Sequence, residues 1–226
     1  MRIGVLGTGM VGRTLAARLA GLGHQVMVGT RDPASTLANT EEDRMGNLPF
    51  SRWIAEQQGI TLGTLNEAAF GSELIVNATS GDASLEALRS AGAENLAGKV
   101  LMDIANPLDF SGGMPPSLSV VNTDSLAEQI QSEFPEARVV KTLNTTNASI
   151  MVDPRAVSGG DHTVFLCGND DEAKATVRGI LESFGWTDII DLGDITAARG
   201  SEMILPIWLS LMSALNTAAF NFKIVR

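Results

Sequence analysis

Ile3-Gly4-Val5-Leu6-Gly7-Thr8-Gly9-Met10-Val11-Gly12 is an apolar run that breaks into the spacing G-x-G-x-x-G. Ile3 to Leu6 has the composition of a parallel strand buried on both faces, and Val11, Leu15, Leu19 and Leu22 then recur at helical spacing from Met10 onward. The glycines therefore fall in a strand-to-helix turn. In such a turn Gly7 permits the tight reversal, Gly9 lets the backbone approach a pyrophosphate, and Gly12 lets the helix sit close on the strand, with the phosphates facing the helix N-terminus. The position of the pattern, at the first strand-helix junction of the chain, gives it its weight.

Working outward, the second strand is expected from His24 to Val28, and Gly29-Thr30-Arg31 follows it. An NAD-binding chain places a carboxylate here to grip the ribose 2′-hydroxyl. A carboxylate would repel the 2′-phosphate of NADP, whereas the Thr30 hydroxyl and the Arg31 guanidinium can both donate to it. Ser35 and Thr36 lie within reach as further donors. The stretch reads as a site for NADP(H). Asp32 leaves two alternatives open, an ion pair with Arg31 in a solvated turn, or a contact to a ribose hydroxyl.

A chain of 226 residues with 44% hydrophobic content and mean hydropathy of +0.13 holds one sizeable core, or a nucleotide domain with a smaller appendage. The net charge of −10 argues against nucleic acid and anionic membranes as partners. No basic, apolar, cleavable leader is visible ahead of the first strand, so a cytoplasmic location is expected. With two histidines and one cysteine there is no zinc-like spacing, and Cys167 reads as a buried structural thiol. The cluster Glu41-Glu42-Asp43 reads as a solvated face.

The rest of the first two-thirds alternates strand and helix. A helix is entered at Pro49 and ended by Gly59, followed by a strand at Ile60 to Leu62, a helix at Asn66 to Phe70 and a strand at Leu74 to Ala78. A helix over Ala83 to Ala91 and strands over Lys99 to Ile104 and Arg138 to Thr142 complete the series. The βαβα order predicts an α/β fold, a Rossmann doubly wound parallel sheet with ligands beyond the carboxyl ends of its strands. Three of those ends carry small or amide residues and no carboxylate: Ala78-Thr79-Ser80, Ala105-Asn106-Pro107 and Asn144-Thr145-Thr146. Taken singly they are ordinary loop caps, and on one edge of one sheet they favour a site.

From about Ala148 the pattern changes, and the rest could extend the first sheet or make a small second domain; the division taken is a Rossmann NADP-binding domain over 1–147 and a small C-terminal domain over 148–226. The latter is expected to hold a strand at His162 to Gly168, a helix at Asp170 to Phe184 capped by Asn169, a strand at Thr187 to Leu192 and a long helix. Met203 to Phe222 carries no charge for twenty residues. Pro206, Asn216 and Asn221 interrupt it, so a homodimer contact is favoured over a membrane span.

Together, Gly7-Thr8-Gly9-Met10-Val11-Gly12, Gly29-Thr30-Arg31-Asp32, Asn106-Pro107-Leu108, Lys141-Thr142-Leu143-Asn144-Thr145 and Phe184-Gly185-Trp186 resemble the F420-dependent NADP oxidoreductase family. Its dinucleotide domain is similar to those of the Steap ferric reductases and pyrroline-5-carboxylate reductase. The resemblance spans nearly the whole chain. It implies hydride transfer between NADP(H) and the deazaflavin coenzyme F420, commonly in a dimer. By position it implies that Thr8, Gly9, Met10 and Val11 contact the pyrophosphate and that Thr30 and Arg31 contact the 2′-phosphate. Ala78, Asn106 and Asn144 would then surround the nicotinamide, with Thr79 beside Ala78.

The chain has no tyrosine, and its lysines are Lys99, Lys141, Lys174 and Lys223. None lies on the expected helix from Thr196 to Phe222, where a β-hydroxyacid dehydrogenase presents its catalytic lysine. Reduction of a carbonyl or imine needs a positioned proton donor, whereas transfer between two ring cofactors needs chiefly stacking and orientation. No catalytic acid is therefore assigned. Two alternatives remain: an NADPH-dependent flavin or ferric reductase, and a non-catalytic NADP-binding sensor. Arg52, Arg155 and Arg199 are the basic groups available for the anionic F420 tail.

Overall fold

The computed structural model describes residues 1–42, 46 and 48–226. Asp43 of the acidic cluster lies outside the described residues. The first half runs β1 (Arg2–Leu6), α1 (Met10–Gly21), β2 (Gln25–Thr30), α2 (Pro33–Ala38), α3 (Phe50–Ala55), β3 (Ile60–Thr64), α4 (Leu65–Phe70), β4 (Leu74–Asn77), α5 (Ser84–Ala91), α6 (Ala93–Leu96) and β5 (Val100–Asp103). A small ribbon of β6 (Leu108–Asp109) and β7 (Ser117–Leu118) follows. The second half runs α7 (Leu126–Glu133), β8 (Arg138–Thr142), α8 (Ala148–Val152), β9 (Thr163–Gly168), α9 (Asp171–Phe184), β10 (Asp188–Asp191), α10 (Ala198–Met203) and α11 (Leu205–Leu215).

Eight strands form one sheet in the order β10-β9-β8-β5-β4-β1-β2-β3. Strands β2 and β3 step away from β1 on one side and β4 returns on the other, so the order reverses between β1 and β4, where such sheets bind ligands. Side chains alternate between two cores. Ile3, Val5, Leu74, Val76 and Met102 face α1, α8 and α9, while Leu6, Ile75, Leu101 and Val139 face α4, α5 and α7. This two-sided burial accounts for the continuous apolar runs of the central strands.

Three expectations need correction. The sheet is not parallel throughout, because β9 runs antiparallel to β8; β10 runs parallel to β9, and these two strands extend the sheet at one edge, one of the two arrangements left open above. Asn169 does not cap α9: Asp170 does, accepting from the Ala173 N–H at 2.7 Å, while Asn169 accepts from the Ile195 N–H. The long C-terminal helix ends at Leu215 and does not continue to Phe222. Asn216 takes a left-handed conformation, and the chain folds back so that Phe220 stacks on Trp208 and Asn221 bonds to His162 and Thr163. No helix among the described residues is long and apolar enough to cross a membrane.

Candidate functional site

The glycine-rich turn closes at the β1/β4 reversal. Gly7 has φ +118°, and a side chain there would meet the Ala78 carbonyl at 2.6 Å; at Gly12 it would meet the Gly7 carbonyl at 2.2 Å. Both glycines are required by the protein's own packing. Gly9 is different, since a Cβ there would meet nothing within 4 Å. Its openness fits a close-lying ligand. Gly9 is also the N-cap of α1 and offers no side-chain acceptor, so the helix presents its first N–H groups uncapped, as an anion site requires. Arg13 braces the loop from behind by donating to the Thr8 carbonyl at 2.7 Å.

Two adjoining clefts share Ala78, Thr79 and Ser80. The first, about 240 Å³, is lined by Gly7, Thr8, Gly9, Gly29, Thr30, Arg31, Leu65, Ala83, Glu86 and Ala87 besides those three. The second, about 290 Å³, adds Val11, Gly81, Asp82, Ile104, Ala105, Asn106, Leu108 and Phe110. At the far end of the first cleft Arg31 is exposed and has no partner among the described residues, while the Thr30 and Thr36 hydroxyls lie 3.0 Å apart. Asp32 is neither paired with Arg31 nor turned to the cleft lining; it caps α2, accepting from the Ser35 N–H at 3.0 Å. The Thr36 hydroxyl donates to the Asp32 carbonyl at 2.8 Å, so it is the Arg31 guanidinium, with no partner among the described residues, that fits a 2′-phosphate at this end. The residues present thus fit NADP(H) along its length.

Not every candidate faces the clefts. Ser35 is exposed and lines neither; Gly12 is buried against Gly7; Met10 lines a separate cleft along α1 with Arg13, Arg18, Trp53 and Asp153. Asn144 is buried behind Asn106. Arg199 is held by Glu128 in a two-pronged pair, and neither Arg52 nor Arg155 lines the clefts. Asp103 closes β5, but it is fully buried and bonds to Lys141, so it presents no charge to the cleft. Sequence reasoning missed Leu65, Glu86, Ile104 and Phe110. Leu65 and Ile104 immediately follow strands, which was the available signal. Glu86 and Phe110 are set by the approach of α5 and the ribbon.

Cys167 is buried in β9, and burial pushes its thiol pKa up to about 12. It is no nucleophile. Among the described residues lining the two clefts there is no lysine, histidine or cysteine.

An uncapped helix N-terminus at the sheet reversal, with the exposed Arg31 just past the end of the neighbouring strand, defines a dinucleotide-binding fold of the Rossmann class. Residues 2–107 match the family described as NADP oxidoreductase, coenzyme F420-dependent. The chain is similar over 99% of both lengths, at 62% identity and TM-score 0.96, to the crystal structure of a candidate F420-dependent NADP-reductase from Arthrobacter sp. FB24. It is 27% identical to the F420-dependent NADP reductase of Methanocaldococcus jannaschii, over 93% of this chain and 92% of that one. It is also 33% identical to the rat metalloreductase STEAP3 over 92% of this chain, but spans only 38% of that protein. The protein belongs to the F420-dependent NADP oxidoreductase family.

Proposed function

We propose that this protein transfers hydride between NADPH and the deazaflavin coenzyme F420. One observation carries the reading: two adjoining clefts at the β1/β4 reversal, sharing Ala78, Thr79 and Ser80, run from Thr30 and Arg31, proposed for the 2′-phosphate, to a small-residue end at Ala78, Thr79 and Asn106. Similarity to F420-dependent NADP reductases over 93–99% of the chain supports the deazaflavin as the second substrate. Thr8, Gly9 and Val11 hold the pyrophosphate through backbone N–H groups, the Gly7 N–H being spent on the Gly29 carbonyl at 3.0 Å, and Thr30 and Arg31 select the phosphorylated ribose. NADPH supplies the hydride when bound. The chain's own task is orientation: Val11, Ile104, Ala105, Leu108 and Phe110 give the nicotinamide end an apolar wall on which two ring systems can stack and exclude water.

The division at residue 147 is part of this proposal, with 1–147 carrying the nucleotide and 148–226 adding the sheet edge and α10–α11. A homodimer is proposed on α11, whose residues are almost all apolar although only Leu205 is buried. Ile207 and Leu215 are each about half exposed, and Met114 is 70% exposed beside the same helix. A cytoplasmic location is proposed with it.

The test mixes purified protein with NADPH and oxidised F420 and follows the deazaflavin absorbance, with FMN, FAD and a ferric chelate in parallel. Loss of absorbance selective for F420 is expected. Preference for flavin or ferric chelate would favour the metalloreductase-like reading to which the STEAP3 likeness points. Tight NADPH binding with no turnover of any acceptor would favour a sensor.

A further inference from the structure

Lys141, near the end of β8, has a fully buried side chain, with Asp103 of β5 and Glu202 of α10 buried beside it. Its ammonium has three N–H groups and three acceptors: Asp103 Oδ2 at 2.8 Å, Glu202 Oε1 at 2.9 Å and the Ala105 carbonyl. No donor is left over. Burial pushes the lysine pKa down, but the two carboxylates, Asp103 foremost, outweigh it and hold it above the ordinary value. The second negative charge is balanced elsewhere. Glu202 accepts from the Leu126 N–H at 2.8 Å and the Ala127 N–H at 3.2 Å, at the N-terminus of α7.

Three short paths lead from this ammonium to the second cleft. Asp103 Oδ1 accepts from Asn77 Nδ2 at 2.8 Å, and Asn77 Oδ1 accepts from the Thr79 hydroxyl at 2.6 Å; Thr79 lines both clefts. Ala105, whose carbonyl Lys141 holds from behind, lines the second cleft and leads into Asn106. Ser201, next to Glu202, accepts at its carbonyl from Asn144 Nδ2 at 2.9 Å, and Asn144 in turn holds Asn106. Between Lys141 and Asn144 lies Leu143, buried with φ +59°, a left-handed conformation that a branched side chain avoids.

We propose that Lys141 is a positioning residue for the nicotinamide end of the site: its ammonium fixes Thr79, the Ala105–Asn106 peptide and α10 relative to one another without touching the cofactor. This rests on the reading of the groove as the NADPH site. Lys141 lines neither cleft, so it takes no part in proton transfer to substrate.

The test compares wild type with Lys141→Met, Glu202→Gln and the double variant Lys141→Met/Glu202→Gln. Glu202→Gln leaves Lys141 and Asp103 as a neutral pair, and so provides a folded probe even where Lys141→Met, which strands two buried carboxylates, does not fold. Two ligands are titrated calorimetrically: adenosine 2′,5′-bisphosphate, which reaches only the Arg31 end, and NADPH, which reaches both. In the folded variants the bisphosphate Kd stays within about twofold of wild type, while the NADPH Kd rises about tenfold and kcat falls by at least as much, Glu202→Gln showing the smaller effect. Parallel loss for both ligands, or no change in either, overturns the proposal, because a merely structural ion pair moves both or neither. A wild type that binds neither ligand overturns the nucleotide reading and this one with it. A wild type that binds both without reducing F420 overturns only the choice of acceptor, and the affinity split still decides.

Discussion

Asn106 and Asn144 hold each other: Asn106 Nδ2 donates to the Asn144 carbonyl at 2.8 Å, and Asn144 Nδ2 donates to Asn106 Oδ1 at 3.1 Å. Asn144 gives its other N–H to the Ser201 carbonyl, so its amide nitrogen has no donor left. Asn106 keeps one N–H and one lone pair, and it is the member that lines the cleft. The two amides therefore divide the work, Asn106 at the surface of the site and Asn144 behind it. Asn106→Ala is expected to raise the NADPH Kd, whereas Asn144→Ala should chiefly destabilise the fold, by about 1–3 kcal/mol, because it removes the buried partner of Asn106 Oδ1 and the Ser201 carbonyl. Urea unfolding and NADPH titration of both variants check this; equal effects of both on binding would contradict the division.

Arg31 stands exposed at the far end of the groove with no protein partner among the described residues, so its removal costs the fold little. Arg31→Ala should weaken NADPH by about 10- to 100-fold and NADH hardly at all, since only the former carries the 2′-phosphate. Dissociation constants for the two nucleotides provide the comparison. Equal loss for both would reject the assignment.

Asp32 is a helix cap. Asp32→Ser keeps a side-chain acceptor for the Ser35 N–H and should leave NADPH affinity within about twofold, while Asp32→Ala should cost about 1 kcal/mol in local stability. If Asp32→Ser instead lowered affinity for both nucleotides tenfold, a ribose contact would be indicated.

Helix α11 presents an apolar surface to water in a single chain. Light scattering should give twice the chain mass for wild type, and Ile207→Asp should raise the dimer Kd about 30-fold or more by placing a charge in that contact. A wild-type monomer across the accessible concentrations would remove α11 as a dimer interface.

The Cys167 thiol gains a proton-retaining environment on folding, its pKa rising from 9.0 to about 12. A group whose folded pKa is raised contributes stability that is complete below the unfolded value, and this contribution declines as pH rises from 9 through 12. Native protein at pH 8 should not react with a disulfide reagent within an hour, and should release one equivalent on unfolding. Rapid reaction of the native protein would show the thiol to be accessible.

What the sequence determined by itself is local. Gly7, Gly9 and Gly12 sit within one turn, and Thr30 and Arg31 stand at the end of the adjacent strand, so short-range sterics and charge suffice to expect a nucleotide there and a 2′-phosphate beside Arg31. The strand-helix alternation likewise follows from side-chain periodicity. Tertiary structure decided what joins distant parts of the chain. Lys141 meets Asp103 across 38 residues and Glu202 meets Leu126 across 76, and no periodicity in either segment records that a lysine in one strand balances carboxylates in another strand and a helix. The antiparallel entry of β9 and the reversal at Asn216 are of the same kind. They depend on which edge of the sheet and which face of α11 remain to be covered once the rest has packed, and that is a property of the assembled core rather than of any stretch of sequence.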